Sequence, residues 1–163
     1  MLHEIEKRSS VIMNKIISEN INLILKNKNL SQQELANRSG ISRQSINLIL
    51  SFNKTSNPKV SSLITIAHAL DIDFPQLFSR NIDLDKPFNK IMTAEKYNNI
   101  LIQNLKNELS GRNQKSISID PGVSESTISD LLNKNKKDIR LSTLELIAEQ
   151  IDKSISQLFK RGN

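Results

Sequence analysis

The chain has 163 residues, 37% apolar and 25% charged, with four Gly, four Pro and no Cys. That length carries one medium domain or two small ones, and the missing cysteines exclude disulfide scaffolds, Cys-ligated zinc and thiol catalysis. The net charge of +6 and pI near 9.6 suit a polyanionic partner. The surplus is uneven, with 10 Lys and Arg against 6 Asp and Glu in residues 1–80 and 13 against 11 in residues 81–163. Apolar runs stop at about three residues, as in Leu23-Ile24-Leu25 and Leu48-Ile49-Leu50, far short of the roughly 20 that cross a bilayer. Acidic Glu4 and Glu6 stand where an export signal would place its apolar segment. A cytoplasmic protein without membrane partners is expected, and the scarcity of Gly and Pro beside 3.6-period stripes predicts an all-α fold.

In chain order, the first segment, HEIEKRSSVIMNKIISEN, places Ile5, Val11, Ile12 and Ile16 where they form an apolar stripe. It either lengthens the first helix or contributes to a dimer interface. Ile16, Ile17, Ile21, Ile24 and Leu25 recur at three- and four-residue steps, the pattern of a core-facing stripe. Ser31-Gln32-Gln33-Glu34 is a capping box that starts a second helix at about Gln32. Gly40 supplies the permissive backbone of a sharp turn, and Ser42 caps a third helix from about Arg43 to Ser51. Its Ile46 and Ile49 turn inward, leaving Arg43, Gln44, Ser45 and Asn47 on the outer face. Pro58 precedes Leu63, Ile66, Ala67 and Leu70, and Phe74, Leu77 and Phe78 complete the set. From Arg80 to Met92, mixed charge and Pro87 break the helical period.

The chain then repeats itself. GISRQSINLIL at Gly40 to Leu50 recurs as GVSESTISDLL at Gly122 to Leu132, 82 positions on. Ser61 to Phe78 recurs as Ser142 to Phe159 at a displacement of 81, and the same displacement sets Ile21 and Ile24 against Ile102 and Leu105. The expected organisation is a first domain at 1–80 with an N-terminal helical extension, a linker at 81–93 and a divergent second domain at 94–163. In the second copy Ser118 replaces a small Ala, Pro121 shortens or distorts the second helix, and Leu109 to Arg112 implies one extra residue between the first two helices. Arg43 is matched by Glu125 and Leu48 by Asp130, so the second outer face is acidic.

The segment QQELANRSGISRQSINLIL, with Leu35, Ala36, Gly40, Ile41, Ile46 and Ile49 at their spacing, resembles the helix-turn-helix of the phage lambda and 434 repressor and Cro family, also called the XRE family. The second copy resembles it through Gln114, Ile117, Gly122, Val123, Ile128 and Leu131. The resemblance implies two tandem lambda-repressor-like five-helix domains that bind double-stranded DNA. It further implies a transcriptional regulator, acting as a repressor and binding as a homodimer in a bacterial or phage-type setting. By the same resemblance, Gln32, Arg43, Gln44 and Asn47 meet base edges, while Ser45, Lys54, Thr55 and Asn57 meet phosphates. The loop cations Lys134, Lys136, Lys137 and Arg140 are assigned to phosphate as well. Gln114, Glu125, Ser126 and Ser129 form a possible second reader, weakened because a carboxylate is repelled by phosphates.

Catalysis has little support. His3 and His68 are the only histidines, no residue spacing suits a metal, and no Gly-rich phosphate loop occurs. No cofactor is expected. Within the same fold the alternatives are an antitoxin or a restriction-modification controller. From a different class comes a protein-interaction adaptor or antirepressor that uses the second domain to hold a protein partner.

Overall fold

The computed structural model describes residues 2–52, 56–85, 92–110, 124–134 and 138–161, with residues 2–10 described as backbone only. Among them are eight α-helices, a 3₁₀ helix, and no β pairing beyond one isolated bridge. None of these helices is long and apolar enough to cross a membrane. Two compact units emerge, one made of Met1–Pro58 and Ser62–Ile91, the other of Lys59–Ser61 and Met92–Asn163.

In the first unit, α1 (Leu2–Asn27), α2 (Gln32–Ser39), α3 (Arg43–Leu50) and α4 (Val60–Ala69) are followed by a 3₁₀ helix at Phe74–Phe78. The N-terminal segment therefore lengthens the first helix into one rod of 26 residues. Ile17, Ile21, Ile24 and Leu25 are buried with Leu35, Ile46, Leu63, Ile66, Leu70, Phe74 and Leu77. Ile16, expected in that core, is only half-buried, because the stripe is centred nearer Ile17 and Ile21 and leaves Ile16 at its edge. The fifth element is a 3₁₀ turn rather than an α-helix, begun at Phe74-Pro75 and fixed by edge-on packing of Phe74 and Phe78 with ring centres 5.1 Å apart.

The second unit contains α5 (Ala94–Leu109), α6 (Glu125–Leu132), α7 (Leu141–Gln150) and α8 (Ile155–Leu158). Its core joins Tyr97, Leu101, Leu105, Ile128, Leu131, Leu144, Ile147, Ile155 and Phe159, with Tyr97 edge-on to Phe159 at 6.3 Å. Lys59–Ser61 belong to this unit. Lys59 bridges Arg140, the Val60 N–H donates to the Ile139 carbonyl at 2.9 Å, and the Ser61 hydroxyl donates to the Asp138 carboxylate.

Each unit ties its first helix to its last by one asparagine. In the first, the Asn20 amide donates to the carbonyls of Leu77 (2.9 Å) and Ser79 (2.8 Å). In the second, Asn104 donates to those of Leu158 (2.7 Å) and Lys160 (3.0 Å). These residues stand 84 positions apart, while their carbonyl partners stand 81 apart. A displacement of 84 sets buried Ile17, Ile21 and Leu25 against buried Leu101, Leu105 and Leu109, while the expected 81 sets buried Ile21 and Ile24 against buried Ile102 and Leu105. From Leu25 to Gly40 is 15 positions, but from Leu109 to Gly122 only 13. Pro121 and Ser118 lie outside the described residues.

Three helices end alike without glycine. Asn29, Asp71 and Asp152 adopt φ of 54, 55 and 53°, and the next N–H closes back onto Leu25, Ala67 or Ala148 at 2.9 to 3.0 Å. Asn and Asp tolerate this left-handed backbone better than most side chains do.

Candidate nucleic-acid interface

The second and third helices are fixed by local chemistry at both ends. The Ser31 hydroxyl accepts from the Glu34 N–H at 3.1 Å while the Glu34 carboxylate accepts from the Ser31 N–H at 2.7 Å, so two donors at the helix start are satisfied together. These bonds to the Ser31 backbone and side chain hold the Glu34 carboxyl below its ordinary pKa. A depressed carboxylate pKa adds stability that is fully present above the unfolded value and is lost as pH falls through the folded one. The melting temperatures of the wild type and Glu34→Ala are therefore expected to draw together on acidification through the lower carboxylate range. A gap that stays constant from neutral pH to below pH 3 would detach Glu34 from this role.

At the other end of α2, Gly40 takes φ 71° and its N–H donates to the Ala36 carbonyl at 2.9 Å. A Cβ there would touch nothing within 4 Å, so the need for glycine lies in the backbone angle and not in space. Ser39 helps to shape the turn, its hydroxyl donating to the Leu35 carbonyl at 2.7 Å and accepting from the Ile41 N–H at 3.2 Å. Ser42 then caps α3 by accepting from the Ser45 N–H at 3.1 Å. Ile46, Ile49 and Leu50 are buried, while Arg43, Gln44, Ser45, Asn47 and Leu48 are exposed. The Ser45 hydroxyl accepts from Ser42 at 2.8 Å, an arrangement that leaves its own proton to donate. Gln32 stands half-buried at the first position of α2.

Three polar residues of α1 that sequence reasoning passed over hold this assembly. Asn14, Ser18 and Asn22, four residues apart, line one face of the helix. The Ser18 hydroxyl donates to the Leu50 carbonyl at 2.6 Å, Asn22 adds a longer bond to the same atom at 3.3 Å, and Asn14 donates to the Ser56 carbonyl at 2.7 Å. They clamp the C-terminus of α3 at Leu50 and the chain again at Ser56. Lys54 and Thr55 lie outside the described residues, and Asn57 is exposed just beyond them. Leu48 was also missed, as an apolar residue 46% exposed beside Asn47.

The comparable helix of the second unit, α6, is capped by Ser124, which accepts from the Thr127 N–H at 3.1 Å, and it buries Ile128, Leu131 and Leu132. Glu125, Ser126 and Asp130 are exposed, and half-buried Ser129 accepts from Asn133 at 3.2 Å. Lys134 is exposed at φ 61°, and exposed Arg140 opens α7. Gln114, Lys136 and Lys137 lie outside the described residues.

A capped helix, a left-handed turn at Gly40 and a second capped helix with a polar outer row make residues 32–50 a helix-turn-helix. A helix-turn-helix family of the XRE type matches residues 21–77, a span that includes α2, α3, α4 and most of the 3₁₀ helix. No curated protein and no solved structure gives a significant match to the chain.

Proposed function

We propose that this protein is a sequence-specific double-stranded DNA-binding transcriptional regulator that acts as a repressor and binds as a homodimer. The observation that carries this reading is the outer row of α3, where Arg43, Gln44 and Asn47 are exposed while the opposite face is buried in the core. The guanidinium fork of Arg43 matches guanine O6 and N7, and the amides of Gln44 and Asn47 suit adenine N6 and N7. Leu48 offers an apolar contact to a thymine methyl. Gln32 approaches base edges from the head of α2, whereas Ser45, Lys54, Thr55 and Asn57 hold phosphates and set the register.

The second unit is read as a divergent copy of the first. Lys134, Lys136, Lys137 and Arg140 supply phosphate contacts, and Gln114, Glu125, Ser126 and Ser129 form a reader weakened by its acid. Exposed Glu125 and Asp130 on α6 favour a second role for this unit, as an adaptor surface for a protein partner. An antitoxin or a restriction-modification controller would use the same α3 surface, and the genomic neighbours of the bound sequence separate these from a repressor.

Selection of bound duplexes from a random pool tests the reading. The expected product is an inverted repeat with half-site centres about 10 to 10.5 base pairs apart, or a multiple of that. Retention without sequence enrichment would overturn it.

A further inference from the structure

We propose that α1 pairs with α1 of a second copy of this chain, antiparallel, through the face it turns away from its own core. The inference rests on the homodimer proposed above and assigns its interface.

At 100° per residue, Ile17, Ile21, Ile24 and Leu25 fill the inner side of α1, with Asn14 and Ser18 beside them. Ile12 and Leu23 lie eleven residues apart, within about 20° of each other on the opposite side. They are two of the three large apolar side chains that stand exposed among the described residues, at 48% and 46%. Half-buried Ile16 lies between them, and exposed Glu19 completes the face. By register this face reads Leu2, Ile5, Ser9, Ile12, Ile16, Glu19, Leu23, Lys26, in alternating steps of three and four. That is the 3.5-residue repeat of a two-helix seam, distinct from the stripe that packs inside the unit.

The order of polar residues selects both partner and direction. In a parallel pair Glu19 would meet Glu19 and Lys26 would meet Lys26 in the seam. An antiparallel pair centred between Ile12 and Ile16 sets Ile12 against the partner's Ile16, Ile5 against the partner's Leu23, and Ser9 against the partner's Glu19. By the same register Lys26 falls opposite the partner's Leu2 at the end of the seam. The central pairs are apolar, and neither Glu19 nor Lys26 falls opposite its own kind. The seam is thus complementary to itself in one direction only.

Sedimentation of the full chain is expected to give twice 18.5 kDa. Ile12→Asp combined with Leu23→Asp places four carboxylates in the dimer seam and is expected to weaken dimerisation about 100-fold or more, with helicity unchanged because both side chains are exposed. The chain has no cysteine, so single substitutions report direction cleanly. A mixture of Ser9→Cys and Glu19→Cys chains should form the mixed disulfide on mild oxidation, and neither variant alone should crosslink. If the double variant fails to fold, this crosslink decides. A monomeric wild type, an unweakened folded double variant, or Glu19→Cys crosslinking to itself would each overturn the proposal. Selection of an isolated half-site by the folded, monomeric double variant would leave the DNA reading standing, so the two failures are distinguishable.

Discussion

Arg43→Ala is expected to lower affinity for the selected duplex by about 1 to 3 kcal/mol, and Gln44→Ala by a similar amount, with helicity and melting temperature close to wild type. Both residues open α3 on its exposed side, while the helix is anchored through Ile46, Ile49 and Leu50 and capped by Ser42. On the proposed reading, truncating them removes base contacts without opening the core. Fluorescence anisotropy at fixed salt, run against the operator and each single-base variant, measures the effect. Each substitution should flatten discrimination at one or two base pairs, the signature that separates base contact from phosphate contact. A uniform loss across all sequences would move that residue to the phosphate-binding set, and unchanged affinity in a folded variant would remove it from the interface.

Asn20→Leu should destabilise the first unit by about 2 to 4 kcal/mol, because two carbonyls lose their donor at about 1 to 3 kcal/mol each. The side chain is 6% exposed and bonds the main chain 57 and 59 residues away. Asn20→Asp should be worse still at neutral pH, since a carboxylate would face two carbonyl oxygens with no proton to share. Urea unfolding with an unchanged slope measures the shift. Asn104→Leu should cost less, as Asn104 is half-buried and its Lys160 partner carbonyl is exposed. Equal stability of wild type and Asn20→Leu would mean that the bonds to Leu77 and Ser79 carry no net stabilisation.

The helix-turn-helix was legible in the sequence because its determinants are local. Ser31 and Glu34 cap within three residues, Gly40 sets one backbone angle, and Ile46 and Ile49 declare which side of α3 is inward. What stayed hidden depends on partners distant in sequence. Asn14, Ser18, Asn20 and Asn22 read as solvent-facing polar residues of an amphipathic helix, yet they bond carbonyls 28 to 59 residues away, and no spacing rule announces a carbonyl. The register between the first helices is ambiguous in sequence for a related reason: moving an Ile and Leu stripe by three positions keeps it nearly on the same face, so apolar identity fits displacements of both 81 and 84, and the bonds of Asn20 and Asn104 match at 84. Leu48 is set against Asp130 on the outer face by sequence but given no role there, because an apolar side chain offers no hydrogen-bonding group that marks it as a base contact.

The asparagine ties have a consequence for how each unit comes apart. The closing elements, five residues at Phe74–Phe78 and four at Ile155–Leu158, are far below the length at which a helix persists alone. They keep their shape only while docked, so fraying from that end is suppressed until the unit opens as a whole. Asn20 grips main-chain oxygens, and half-buried Gln76 of that last turn can therefore change without loosening the tie. In the first unit, α1 also holds α3 through Ser18 and Asn22, so the stiffness of α3 is coupled to the docking of that last turn.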